Sequence, residues 1–250
     1  MTEKHSNTAA FRGARFTAAD LTGARFRDCD LRGVKVTDSW LIGVNMSGEV
    51  ENFLVNDVDV APLVEAELDR RNPERVLVRT MATADDHRAA WQTIEGLWAE
   101  TVDRARRLPE PLLHERVDDE WSFTETLRHL IFATDAWAGR SILGDERPYS
   151  RLGYPHSAYP PDDARALGVD VEAQPTLDEV LEVRAARLAV VGAIVEGATD
   201  ASLEQTSDLP PAPGYPDEVR SVRRCLRVVM REECEHRRYA VRDLAVLESR

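Results

Sequence analysis

Apolar residues recur every five positions near the start of the chain, a period longer than that of a helix or of a strand. Two columns follow this period between residues 9 and 46. The first contains large side chains: Phe11, Phe16, Leu21, Phe26, Leu31, Val36, Leu41 and Met46. The second contains mostly small ones: Ala9, Ala14, Ala19, Ala24, Cys29, Val34, Ser39 and Val44. A fixed short period of this kind predicts a solenoid.

Beyond residue 80 the apolar positions recur at helical spacing instead. Four amphipathic segments follow, and four such helices of similar length predict a four-helix bundle. Two of them open with Ser/Thr-x-x-Glu capping boxes, at Ser122 and Thr176. The predicted helices span about 84–107, 122–143, 176–195 and 219–247.

The connections divide the predicted chain into parts. Residues 1–60 are assigned to the solenoid, 61–80 to a connector with a helix-like stretch, and 81–250 to the bundle. A strand-like piece is expected at Phe53–Val60. The links Asp145–Pro175 and Asp200–Asp217 are long for a compact bundle, so each is expected to cover a site or to cross between helices that are not adjacent neighbours.

Charge and composition exclude several classes of protein. The net charge of −13 and the lack of a basic stripe argue against a nucleic-acid partner. No apolar run in the sequence is long enough to cross a bilayer, and nothing at the start resembles a signal peptide. The three cysteines, Cys29, Cys225 and Cys234, have no framework spacing. We therefore expect a soluble cytoplasmic protein with reduced thiols.

A histidine and a Glu-x-x-x-His pair carry the strongest chemical signal. Glu232 and His236 lie four residues apart on the last predicted helix and therefore share a face, while His129 lies on the inner margin of the second. Together they predict a three-ligand site for a divalent metal, with a position open for water or substrate. Glu233 remains an alternative to Glu232, because it is three residues before His236.

Residues of the 145–175 link are expected to contact a substrate. Tyr154 and His156 offer ring surface and polar tips, and this link is expected to close over the metal. His156 as a fourth metal ligand is the alternative, and it would close the site. Cys234 is two residues from His236 and points to another face of the helix, which argues against a role as a ligand.

The five-residue units resemble the pentapeptide-repeat family, most clearly at 19–23 (ADLTG) and 29–33 (CDLRG). The resemblance implies a short right-handed β-helix with four units per coil. Long members of that family imitate DNA and protect gyrase. Eight units make only about two coils, so we expect a structural cap or interaction surface here.

The segments 120–130 (EWSFTETLRHL) and 232–244 (EECEHRRYAVRDL) resemble the DinB-like superfamily. The resemblance covers roughly residues 80–250 and implies a mainly α fold, with a DinB-like bundle that holds its metal through His129, Glu232 and His236. Glu-x-x-x-His is the variant of the mycothiol-dependent maleylpyruvate isomerase branch. The near absence of lysine, with only Lys4 and Lys35, suggests an actinobacterial host, in which mycothiol is the expected thiol.

Two functions are expected from these features. The first is an enzyme with a divalent metal, zinc being expected and nickel or another transition metal left open. It would be a mycothiol S-transferase or isomerase acting on a small electrophile, with hydrolysis as an alternative. The second is a non-catalytic module that binds a small molecule or a partner. The sequence indicates no general base and does not identify the substrate, and a homodimer is one assembly left open.

Overall fold

The computed structural model describes residues 4–6, 8–156 and 159–250. It divides into two compact units, an N-terminal unit Met1–Val44 and a helical unit Asn45–Arg250. The domain limits predicted at residues 60 and 80 stay predictions.

The backbone of the N-terminal unit repeats its turns with the period seen in the sequence. Gly13, Gly23, Gly33 and Gly43 all have φ between 70° and 76°, and Ala18, Asp28 and Asp38, midway between them, have φ between 49° and 51°. The left-handed region thus recurs every five residues. The large side chains from Phe11 to Leu41 remain 45–66% exposed, because so short a repeat provides little interior.

The helical unit contains two small hairpins and a series of helices. The described residues of this unit form β1 (Leu54–Val55), β2 (Val58–Asp59), α1 (Ala61–Arg71), α2 (Glu74–Thr80), α3 (Ala84–Ala105), α4 (Glu110–Leu113), α5 (Phe123–Thr134), a π-helix (Asp135–Ile142), α6 (Pro161–Ala166), α7 (Leu177–Glu196), α8 (Asp200–Leu203), β3 (Thr206–Ser207), β4 (Arg220–Ser221) and α9 (Val222–Glu248). The fold is mainly α with a small β part, as predicted.

The four long helices form the predicted bundle. Helices α3 and α5 each pack against both α7 and α9, so α3 lies diagonally from α5, and α7 diagonally from α9. Arg104 near the end of α3 binds Glu248 at the end of α9, so these two helices run parallel. The link from α7 to α9 therefore joins diagonal helices, which explains its length.

Capping side chains fix where the bundle helices begin. The Ser122 hydroxyl accepts a hydrogen bond from the Glu125 amide at 3.2 Å, and the Glu125 carboxylate accepts one from the Ser122 amide at 2.8 Å. Equivalent capping boxes begin α3 at Thr83 and α7 at Thr176. The boxes predicted at Ser122 and Thr176 are confirmed.

The second helix of the bundle changes its hydrogen-bonding pattern half-way along. The sequence predicts one continuous helix to about residue 143, but the segment Asp135–Ile142 is a π-helix. The buried Asp135 carboxylate accepts hydrogen bonds from the Ser150 amide and from Arg187, both at 2.7 Å. Wide turns of this type are rare and are frequent at functional sites.

A short antiparallel ladder closes the link between α8 and α9. Thr206 pairs with Ser221 and Ser207 with Arg220, so the ends of the intervening loop, residues 208–219, lie side by side. Among the described residues, no helix has the length and apolarity required to cross a membrane.

Candidate metal centre

The bundle brings His129, Glu232 and His236 together. The two residues of α9 are one helical turn apart and share a face, and His129 comes from the neighbouring antiparallel helix α5. One potential ligand atom from each residue lies within 4.8 Å of the other two. The fold therefore places His129 beside two residues that are more than 100 positions away in the sequence.

The spacing of the donor atoms suits a small divalent cation. His129 Nε2 lies 3.4 Å and His236 Nε2 lies 3.1 Å from Glu232 Oε2. Ligands held tetrahedrally at about 2.0–2.1 Å from zinc are roughly 3.3 Å apart. Each histidine nitrogen thus already stands near the separation from the Glu232 oxygen that tetrahedral coordination requires, and all three donor atoms lie within 4.8 Å of one another.

The tautomer of His129 is fixed by the 145–175 link. The Tyr154 carbonyl oxygen lies 2.9 Å from His129 Nδ1. Because a carbonyl oxygen can only accept, Nδ1 carries the proton, and a neutral ring then presents the lone pair of Nε2 toward Glu232. Metal-binding histidines commonly have such a hydrogen bond on the other ring nitrogen.

The protonation states of His129 and Glu232 leave both side chains able to bind a cation. Burial lowers the pKa of His129 and favours its neutral form. Burial alone would raise the pKa of Glu232, but the imidazoles of His129 and His236, whose Nε2 atoms lie 3.4 and 3.1 Å from its Oε2, outweigh burial and lower it. The carboxylate is therefore ionised, and Nε2 of His129, whose other ring nitrogen carries the proton, is available to bind a cation between the two side chains.

Trp121 covers one side of the two histidines. Its ring centroid lies 4.6 Å from that of His129 and 5.7 Å from that of His236, in the second case at an interplanar angle of 23°. Apolar cover of this kind limits access of water and restricts the rotation of both imidazoles.

Glu233, the alternative ligand, points elsewhere. Its carboxylate forms two hydrogen bonds with the Arg184 guanidinium of α7, and the two side chains are only 1% and 2% exposed. Arg184 also lies over the Trp98 ring, with 4.9 Å from the guanidinium carbon to the ring centroid. The geometry therefore favours Glu232 over Glu233 as the donor.

A cavity of about 250 Å³ adjoins the three donors. Its other walls are Trp121, Phe132, Trp137 and Tyr215, the small Ala133 and Ala136, and His156. The π-helical segment contributes Ala136 and Trp137, and each of the two long links contributes one ring. A ligand in this cavity would touch both the donors and an aromatic wall.

The comparisons with known proteins agree with this architecture. A family model of the DinB superfamily matches residues 93–240, which is more than half of the chain. The chain belongs to the DinB superfamily. Eight copies of pentapeptide repeats match residues 9–48, which implies a β-helical region ahead of the DinB domain. Comparisons with curated proteins and with solved structures found no match.

The residues predicted to bind substrate in this DinB domain take different positions. His156 lines the cavity, and its ring contacts Tyr159 and Tyr215 at centroid distances of 5.6 and 6.4 Å. Tyr154 does not belong to the lining: its carbonyl orients His129, and its hydroxyl lies 3.5 Å from Arg116. Residues 157 and 158 of the same link lie outside the described residues. Substrate binding by Tyr154 and His156 stays a prediction.

The cysteines of the DinB domain are not suited to react. Cys225 and Cys234 are buried, and burial raises the pKa of their thiols to about 11 and about 12. Both therefore remain protonated at neutral pH, and a protonated buried thiol is a poor nucleophile and ligand.

Sequence reasoning assigned no role at the site to four of the cavity residues. Trp121 and Phe132 lie beside recognisable motifs, and Trp137 belongs to the apolar stripe of the second helix, but nothing in their spacing marks them as cavity walls. Tyr215 lies in a proline-rich link without periodicity. No signal in the sequence connects that link to the donors.

Proposed function

We propose that the DinB domain is a divalent-metal-dependent enzyme that activates a low-molecular-weight thiol for transfer to a small electrophile. The supporting observation is the convergence of His129, Glu232 and His236 beside an aromatic-walled cavity. The superfamily includes metal-dependent enzymes. Three protein donors leave at least one coordination position for a substrate.

The donor set determines which ion is expected. Two imidazoles and one carboxylate are typical of catalytic zinc and also suit nickel or another transition metal. A bound ion would supply positive charge that favours a thiolate, the nucleophilic form of a thiol, at neutral pH. The thiol proton would pass to solvent and the sulfur would form a bond to an electrophilic carbon. In a substitution the electrons of the broken bond depart with the leaving group, and in an addition the electrons of the π bond move to an acceptor oxygen.

The residues of the chain serve this chemistry by orientation and exclusion of water. Tyr154 holds His129 in the required tautomer, and Trp121 packs against both histidines. Within the DinB domain Cys225 and Cys234 are buried and protonated, which favours a thiol supplied by a second substrate. Mycothiol is the thiol expected from the resemblance to its isomerase branch and from the host suggested by the sequence.

Metal analysis of purified protein tests the first half of the proposal. Wild-type protein is expected to bind about one zinc ion per chain, and His236→Ala to lose it with the helical circular dichroism signal retained. His114→Ala is the matched control, since His114 lies beside Glu110 and away from the donors. Unchanged metal content in His236→Ala contradicts the assignment.

A thiol-transfer screen tests the second half. Zinc-loaded protein would be assayed with 1-chloro-2,4-dinitrobenzene as the electrophile and mycothiol, cysteine or no thiol as the donor. Zinc-dependent transfer from a thiol supports the proposal. Zinc binding without transfer favours the non-catalytic binding module, and zinc-dependent hydrolysis of an ester substrate favours the hydrolase alternative.

A further inference from the structure

Tyr215 presents an unused hydroxyl group at the cavity. Its ring lines the cavity together with Glu232, the candidate ligand. Among the residues that the structure describes, none forms a hydrogen bond with this hydroxyl. The hydroxyl is also not among the buried unsatisfied polar atoms, so it is accessible and can donate to a molecule in the cavity.

The backbone before Tyr215 is held by side chains from two other elements. Ser141 and Arg140 of the π-helix donate to the carbonyls of Leu209 and Pro210 at 3.1 and 2.9 Å. The Tyr149 hydroxyl donates to the Pro211 carbonyl at 2.5 Å. Three consecutive carbonyls of an irregular link are therefore fixed.

A buried arginine holds the backbone after Tyr215. Arg220 is only 1% exposed, and its two terminal nitrogens donate to the carbonyls of Glu218 and Pro216 at 2.8 and 2.6 Å. Burial of a guanidinium is costly, and this one is used mainly to fix the backbone of a loop. The link is thus constrained on both sides of Tyr215.

Two rings fix the orientation of the phenol itself. Trp137 and His156 contact the Tyr215 ring edge-to-face, at centroid distances of 5.9 and 6.4 Å. Burial raises the pKa of Tyr215. A phenol in any case keeps its proton across the neutral range, so the hydroxyl is available as a donor.

The remaining walls indicate the kind of molecule that this donor meets. Trp121, Phe132 and Trp137 provide flat apolar surfaces, and among the described residues that line the cavity there is no lysine or arginine to pair with an anion. An apolar cavity of about 150 Å³ holds one benzene ring. The present cavity, at about 250 Å³, has room for one ring with a substituent.

We infer that Tyr215 donates a hydrogen bond to an oxygen of a small, uncharged, planar substrate in this cavity. The inference rests on the proposed function, since it names the electrophile class of the same site. The hydrogen bond would hold the substrate oxygen at a fixed place relative to the three candidate metal ligands. This hydrogen bond would become stronger as negative charge develops on that oxygen.

Binding of matched probes tests the inference independently of catalysis. Acetophenone carries a carbonyl acceptor, α-methylstyrene has nearly the same shape without one, and benzoate is an anion of similar size. Affinities would be measured by ligand-observed NMR with wild-type protein, Tyr215→Phe and Tyr239→Phe, in zinc-loaded and metal-free forms. Circular dichroism and thermal unfolding establish that each variant is folded, and zinc content is measured in parallel.

Tyr215→Phe is expected to lower the affinity for acetophenone about fivefold and to leave the affinity for α-methylstyrene unchanged. The reason is that one net hydrogen bond is lost while the aromatic ring is kept. Tyr239→Phe should change the affinity for neither probe, since Tyr239 is outside the cavity lining and its ring lies against Arg238 and Arg242. Benzoate should bind metal-free wild-type protein most weakly, because the Glu232 carboxylate lines the cavity and none of the described lining residues is a lysine or an arginine. Equal effects of Tyr215→Phe on the two neutral probes, or absence of binding of both to wild-type protein, overturn the inference.

The two proposals fail in different ways. Absence of zinc binding by wild-type protein contradicts the metal site, while the acetophenone comparison in metal-free protein still reports on Tyr215. Stoichiometric zinc with no selective effect of Tyr215→Phe leaves the metal site in place and overturns only the role of this tyrosine.

Discussion

The adjacent glutamates Glu232 and Glu233 of α9 are expected to affect different properties when each is changed to glutamine, metal binding for the first and stability for the second. Glu232→Gln should lose stoichiometric metal binding with little change in stability, because its side chain is 34% exposed and its neighbours are the two histidines. Glu233→Gln should keep the donors in place and destabilise the fold. The contrast separates a candidate ligand from a structural ion pair one residue away.

The loss of stability expected for Glu233→Gln follows from the burial of this side chain. The Arg184–Glu233 pair is almost fully removed from solvent, with 2% and 1% exposure, so a neutral partner leaves the guanidinium charge uncompensated. Breaking a buried pair in this way costs about 3–5 kcal/mol. Glutamine retains one acceptor oxygen, so we expect about 3 kcal/mol, which corresponds to roughly 6–12 °C in the melting temperature of a domain of this size.

Urea unfolding and zinc content, measured on the same samples, provide the assay. Glu232→Gln is expected within about 0.5 kcal/mol of the stability of metal-free wild-type protein. A double variant, Arg184→Met with Glu233→Leu, should recover most of the lost stability, because an apolar replacement of both partners removes the buried charge. Wild-type stability of Glu233→Gln, or loss of zinc in Glu233→Gln together with retention in Glu232→Gln, would refute the reasoning.

Three further predictions concern other parts of the molecule. The Arg116 partner and the Ser122 cap hold the pKa of Glu125 below its usual 4.5, so the stability that this carboxylate contributes is present above pH 4.5 and is lost as the pH falls through the lowered value. Glu125→Gln should therefore lower stability by about 1 kcal/mol at pH 7, and the gap to wild type should close in urea titrations below pH 4.5. His156→Ala should weaken acetophenone binding without release of zinc, whereas zinc loss would make His156 a fourth ligand. Deletion of residues 1–44 should leave zinc content unchanged, and the isolated segment should not inhibit gyrase in a supercoiling assay; inhibition would favour DNA mimicry.

The sequence predicted the elements whose signals are local. Helix starts at Ser122 and Thr176 follow from capping residues within one turn, and the four long helices follow from apolar periodicity. Donors four residues apart on one helix share a face whatever the rest of the fold does. These features need no knowledge of distant contacts, so they could be read from the residues alone.

Features set by distant contacts could not be predicted. The spacing of α9 allowed either Glu232 or Glu233 to face His129, and Arg184 on a different helix accounts for the direction of Glu233. The sequence of Asp135–Ile142 did not distinguish a π-helix from a continued α-helix. The buried Asp135 in this segment accepts hydrogen bonds from Ser150 and Arg187, which lie elsewhere in the chain. Tyr215 is placed by contacts to two other segments.

The bundle and its two long links contribute different parts of the site. The candidate ligands lie on α5 and α9, whose rotation is constrained by a packed core that includes the Arg184–Glu233 pair. Two of the rings that line the cavity, His156 and Tyr215, lie on the links. Changes in the links can therefore alter which molecule binds without disturbing the donors, whereas changes in the core next to α9 affect stability first. An ion bound by the helices and a substrate selected by the links would be separable by mutation, as the variants of Glu233 and Tyr215 are designed to test.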